Sequence, residues 1–105
     1  MDFNYCISPQ ARVDLLETIK LIHDDFDNPQ AAARFNRNVY KMIGTICSSP
    51  YLFPKSTNER LAALGIRYAI VGNYLLLYVP DDETETVNIL RIVYARRDLD
   101  AIEFV

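Results

Sequence analysis

A chain of 105 residues has room for one domain, close to the lower limit for a self-sufficient core. Half of its residues are hydrophobic and 24% are charged, which excludes a disordered chain, and no apolar run approaches the roughly 18 to 20 residues that span a bilayer. The net charge of −3 excludes a generic nucleic-acid binder, so no sequence-specific DNA binding by this chain alone is expected.

The opening Met1-Asp2-Phe3-Asn4-Tyr5 has neither a basic segment nor an apolar signal core, and a cytoplasmic location without membrane contact is expected. Phe3, Tyr5 and Ile7 alternate with polar neighbours, the period of a short strand. Ser8-Pro9 then predicts a helix start, because Ser caps the free N–H groups and Pro suits the first helical position. The helix carries Ala11, Leu15, Ile19, Ile22 and Phe26 on one stripe. Asp24 and Asp25 oppose its macrodipole, so its end should fray.

Asn28-Pro29 repeats the start signal for a second helix running to about Cys47, with Ala32, Phe35, Val39, Met42, Ile43 and Ile46 as its apolar stripe. The short connection implies an antiparallel helical hairpin. Residues 48–58 read as a loop, followed by a helical turn at Glu59–Ala62. Ile66–Val71 and Tyr74–Val79 are β-rich runs around Gly72-Asn73, the signature of a type II′ hairpin. A second turn is expected at Pro80–Thr84, then the longest and most central strand at Thr86–Tyr94, and a short C-terminal helix capped by Asp98. The expectation is an α+β fold occupying 1–105 as a single domain: β-α-α-β-β-β, with the helical hairpin on one face of a twisted antiparallel sheet.

Hydrolase, phosphate-loop and metal patterns are absent from the sequence, and no cofactor or metal is expected. The lone His23 reads as a surface residue, and Cys6 and Cys47 as free buried thiols. Arginines on the sheet remain. If no bulge intervenes, Arg91, Val93, Ala95 and Arg97 share one face of the last strand, and Leu90, Ile92 and Tyr94 face the helices. Arg67, with the parity of Ala69 and Val71, is placed on the Arg91 face. An unpaired buried Arg costs about 3–5 kcal/mol. Arg91 therefore either pairs with an acid such as Asp98 or Glu85, or binds an anion or a partner. Arg67, Arg91 and Arg97 are the candidate partner-binding residues.

Val71-Gly72-Asn73-Tyr74-Leu75-Leu76-Leu77-Tyr78 followed by Ile89-Leu90-Arg91-Ile92-Val93-Tyr94-Ala95-Arg96-Arg97-Asp98-Leu99 resembles the C-terminal half of RelE/ParE-superfamily toxins. Ile7-Ser8-Pro9-Gln10-Ala11 and Asn28-Pro29-Gln30-Ala31-Ala32 are similar to that family's helix openings. The resemblance covers nearly the whole chain and implies the same element order. It also implies a plasmid-stabilisation-type function: the toxin of a type II toxin–antitoxin pair, neutralised by a cognate antitoxin.

The superfamily divides by mechanism. RelE-like members are ribosome-dependent mRNA endoribonucleases, and that reading would make Arg67, Arg91, Tyr94 and Arg97 the catalytic set. ParE-like members bind DNA gyrase and need no catalytic set, so whether this chain is an enzyme stays open. The nuclease branch carries Arg where this chain has Leu75, a terminal Tyr where it has Glu103, and a basic loop represented here by Lys55 alone. Tyr94 stands where the family usually has His, and the pI near 5.0 is low for such toxins. The Arg97-Asp98-Leu99 ending is closer to the ParE branch, and a relative that binds antitoxin without toxicity is the third reading.

Overall fold

Capping side chains start both long helices in the computed structural model, which describes residues 2–104. Ser8 Oγ accepts from the Ala11 N–H at 3.0 Å, and Pro9 opens α1 (Pro9–Lys20). Asn28 Oδ1 accepts from the Ala31 N–H at 3.0 Å, and Pro29 opens α2 (Pro29–Ser48). Beyond Lys20 the first helix does not fray as its acidic end predicts. It widens into a π-turn over Leu21–Asp25, closed by Phe26 N–H to Leu21 C=O at 3.1 Å and Asn28 N–H to Ile22 C=O at 3.2 Å. The widened turn carries Phe26 off the apolar stripe and leaves it 65% exposed, while Ala11 and Leu15 are buried.

Four strands form one sheet in the order β1-β4-β3-β2: β1 (Asn4–Ile7), β2 (Arg67–Val71), β3 (Tyr74–Asp81) and β4 (Thr86–Tyr94). The sheet is mostly antiparallel. The exception is β1, parallel to β4, which the long helical crossover between them permits. Gly72 has φ 59° while Asn73 is not in the left-handed region, as a type II′ turn between β2 and β3 requires. The second turn starts later than its sequence predicts, because Pro80 still pairs within β3 opposite Val87. The β2 partner ends at Arg67 opposite Tyr78, so the missing Pro N–H points to a vacant edge and costs no ladder bond.

Helices α1 and α2 cover one face, burying Leu15, Phe35, Val39, Ile43 and Ile46 against Leu76, Tyr78, Val87, Ile89 and Ile92. The second face has its own smaller core. There α3 (Glu59–Ala63) supplies Leu61 and the C-terminal segment supplies Ile102, packed on Ile66, Leu77 and Val93. The C-terminal helix is one 3-10 turn, Leu99–Ala101, capped by Asp98. Arg60 holds this segment through the carbonyls of Leu99 at 2.8 Å and Ile102 at 3.1 Å. No helix among the described residues is long and apolar enough to cross a membrane.

Candidate functional site

A bulge decides which way the β4 side chains point. Leu77 pairs with Arg91 but Tyr78 pairs with Ile89, so Leu90 is an extra residue on β4. Val87 and Ile89 face the helices before it, and Ile92 does so after it. Leu90 therefore packs with the second core rather than toward the helices, correcting the unbroken parity reading, while Val93 stays opposite to them as expected.

Strand β1 covers β4 only as far as Ile89; the Ser8 N–H closes that stretch on the Ile89 carbonyl at 2.9 Å, and the chain then turns into α1. The next outward N–H of β4, that of Ile92, has no strand to meet. Asp14 of α1 takes the strand's place: its Oδ2 accepts from Ile92 N–H at 2.9 Å. The same carboxylate accepts from Arg91 Nε at 2.7 Å and Nη2 at 3.0 Å, a bidentate geometry. Arg91 Nη1 donates to the Glu103 carbonyl, fastening the C-terminal segment. Asp14 and Arg91 are 8% and 5% exposed. The ion-pair alternative for Arg91 is thus the one realised, but with Asp14 and not with Asp98 or Glu85. Asp14 shares the buried helical stripe of Ala11, Leu15 and Thr18, a signal that was present in the sequence.

Arg67 lies elsewhere. It pairs with Tyr78 and shares the helix-side face of Ala69 and Val71, whereas Arg91 opposes Leu77 on the other face. Its placement on the Arg91 face is therefore corrected. Arg67 Nη1 donates to the Phe53 carbonyl at 2.6 Å, and its guanidinium sits 5.0 Å from the Tyr51 ring centre. Tyr51 in turn donates to Asp82 at 2.6 Å, and that bond, ahead of desolvation, raises its pKa. Burial pushes the Tyr78 phenol up to about 12, although Arg67 beside it pulls the other way.

Arg97 is exposed at the end of β4 and, with Gln10, Arg91, Ala101 and Glu103, lines a polar recess of about 230 Å³. Tyr94 lies on the helix side, 46% exposed, its ring edge-on to Tyr74 at 5.7 Å. It borders a cleft of about 470 Å³ with Leu21, Ile22, Phe26, Asn73 and Tyr74. Arg91 and Arg97 are therefore brought together, whereas Arg67 and Tyr94 are not joined to them. Of the thiols, Cys47 is buried with its pKa raised by that burial and by Asp2, while Cys6 is exposed on β1, contrary to expectation. Among the described residues, no three of His, Cys, Asp or Glu are placed to hold a metal ion.

A four-stranded sheet with a helical hairpin on one face is a fold also found in solved toxin–antitoxin proteins. A chain of the ParDE toxin–antitoxin system of P. aeruginosa is similar at TM-score 0.69 and 14% identity, over 90% of this chain and 97% of that one. A chain of the RelBE2 toxin–antitoxin complex from Mycobacterium tuberculosis is similar at TM-score 0.62 and 26% identity, over 90% of this chain and 99% of that one. No curated protein matches. The family model for the ParE toxin of the type II toxin–antitoxin system parDE matches residues 5–99, and the chain belongs to that family.

Proposed function

We propose that this protein is a toxin neutralised by a cognate antitoxin, and that it acts by binding DNA gyrase rather than by cutting RNA. The observation that carries the choice is that the four residues a nuclease would need do not converge: only Arg91 and Arg97 share a recess, and Arg91 is held in an ion pair. Phosphodiester cleavage requires donors converging where negative charge develops, and removing one such donor commonly costs about a hundredfold or more in rate. Arg91 spends its charge on Asp14, Arg67 faces the opposite side of the sheet, and Tyr94 borders a separate cleft. Leu75 and Glu103 replace the remaining basic and phenolic groups of the nuclease branch. A binding toxin tolerates each of these changes, because shape and contact suffice for its task. Partner binding then falls to surface groups, and of the three candidate arginines Arg97 is the one left exposed.

Co-expression with the product of the adjacent reading frame tests the toxin half of this reading. The tagged chain is expected to retain one short partner, and that partner should relieve growth arrest. Growth unaffected by the chain, with a partner still retained, would favour the relative that keeps antitoxin binding without toxicity.

A further inference from the structure

Helix α2 shows solvent a face of one electrical sign. Its buried positions, among them Phe35, Val39, Ile43 and Ile46, lie on one side. At about 100° per residue, Arg34, Arg37 and Lys41 fall together on the opposite side, and all three are exposed. The helix runs for 20 residues without an Asp or Glu, although the chain has 14 of them. Among the described residues the salt bridges are His23–Asp24 and Asp14–Arg91, so no carboxylate of the chain neutralises these three cations. The charge of this face is opposite in sign to the net −3 of the whole molecule.

Solvated helix faces commonly alternate acid and base, because opposite charges three or four residues apart support the helix. Here the same spacings set Arg37 against Arg34 and against Lys41, two like-charge contacts that weaken the helix and that an external anion would relieve. The neighbouring exposed side chains Gln30, Asn38 and Tyr40 add uncharged N–H and O–H donors. Cations with neutral donors around them are the groups that grip phosphate oxygens.

We propose that this face of α2 lies against the sugar–phosphate backbone of duplex DNA while the protein is on its target, and reads no bases there. The proposal rests on the gyrase reading above, since gyrase offers the chain a protein surface and, beside it, the DNA it holds. From Arg34 to Lys41 the helix advances about 10 Å at 1.5 Å per residue, which matches about three phosphate steps of one strand at 3.4 Å each. The acidic remainder of the molecule keeps the chain from gripping free DNA firmly and turns α2 toward it. Single-stranded RNA fits less well, because single strands are held by stacking on several rings and this face has Tyr40 alone.

Two measurements test it. The first compares the affinity of the full chain for bare gyrase and for gyrase loaded with duplex DNA. The wild type should bind the loaded enzyme about tenfold tighter or more, because each phosphate neutralised releases counterions. The triple variant Arg34→Gln, Arg37→Gln, Lys41→Gln, which keeps good helix formers, should lose that difference and bind bare gyrase as before. No difference in the wild type, or a difference that survives the substitutions, would overturn the proposal. Equal loss on both forms would do the same, by showing that the patch meets an acidic protein surface. The second measurement needs no gyrase: the nitrogen-15-labelled chain is titrated at low ionic strength with a duplex of about 20 base pairs, two helical turns. The amides of Arg34, Arg37 and Lys41 should shift whatever the base sequence. The logarithmic salt slope should be about −2.7 for three phosphates, and shallower by about 0.9 for each cation replaced. Those shifts in a chain that binds neither form of gyrase would support the DNA contact and refute the gyrase reading. Silent α2 amides, sequence-dependent affinity, or tighter binding of single-stranded RNA would overturn the contact itself.

Discussion

Asp14→Ala should be among the most damaging single substitutions in the protein. It strips the partner from the Arg91 guanidinium, which is 5% exposed, and leaves the Ile92 N–H without an acceptor. Breaking a buried pair from one side costs about 3–5 kcal/mol, because a desolvated charge remains. For a domain of this size each kcal/mol lowers Tm by roughly 4–8 °C, so the melting point should fall by about 12 °C or more. Replacing both partners separates the two losses. Asp14→Leu with Arg91→Met removes the charge problem but still orphans the Ile92 N–H, worth about 1–3 kcal/mol. The double variant should therefore be more stable than Asp14→Ala alone, though below the wild type. Arg91→Ala should likewise cost far more than Arg96→Ala, whose side chain is exposed. Urea unfolding followed by circular dichroism measures all of them. Loss below about 1 kcal/mol for Asp14→Ala, or additive effects of the two substitutions, would refute the structural role given to this pair.

Further outcomes follow from local geometry. Gly44 sits exposed in the last turns of α2, where an added Cβ meets nothing within 4 Å, so Gly44→Ala should raise stability by about 0.5–1 kcal/mol in the same unfolding assay. Tyr78, with its phenol raised to about 12, keeps its proton in the folded state after the unfolded phenol, near 10, has lost it. Its contribution is complete below pH 10 and lost as pH rises toward 12, so Tyr78→Phe should flatten the decline of urea midpoints across that window. At neutral pH the same substitution should cost about 0.5–1.5 kcal/mol through loss of the bond to the Pro50 carbonyl. A thiol reagent should label exposed Cys6 promptly and buried Cys47 only on unfolding, which mass spectrometry of timed samples would show.

Local signals carried most of the architecture. Ser8-Pro9 and Asn28-Pro29 placed both long helices within a residue or two, and Gly72-Asn73 placed the β2–β3 turn, because each acts through its immediate neighbours. What escaped was non-local. The extra residue at Leu90 inverts the parity of β4, and nothing in its own sequence marks where the partner strand slips. Arg67 escaped for a different reason, cross-strand register: it lies opposite Tyr78 while Arg91 lies opposite the neighbouring Leu77, so the two arginines assigned to one face fall on opposite faces. Asp14 was half legible: its position on the buried stripe demanded a partner, but which cation would reach it depends on α1 running along the edge that β1 vacates. The parallel pairing of β1 is of the same kind, set by how a long crossover returns and not by any residue in the strand.

The central claim is that the protein disables its target by contact and not by catalysis. Supercoiling of relaxed plasmid by purified gyrase, with increasing amounts of this chain, tests it most directly. Primer extension on a translated messenger with the same preparation serves as the opposing arm. Dose-dependent loss of supercoiling, restored by the antitoxin, with the messenger left intact, is the predicted result. Codon-phased cleavage of the messenger while gyrase works unimpaired would contradict the account, and would mean that Arg91 and Arg97 assemble an active site despite the ion pair that holds Arg91 to Asp14.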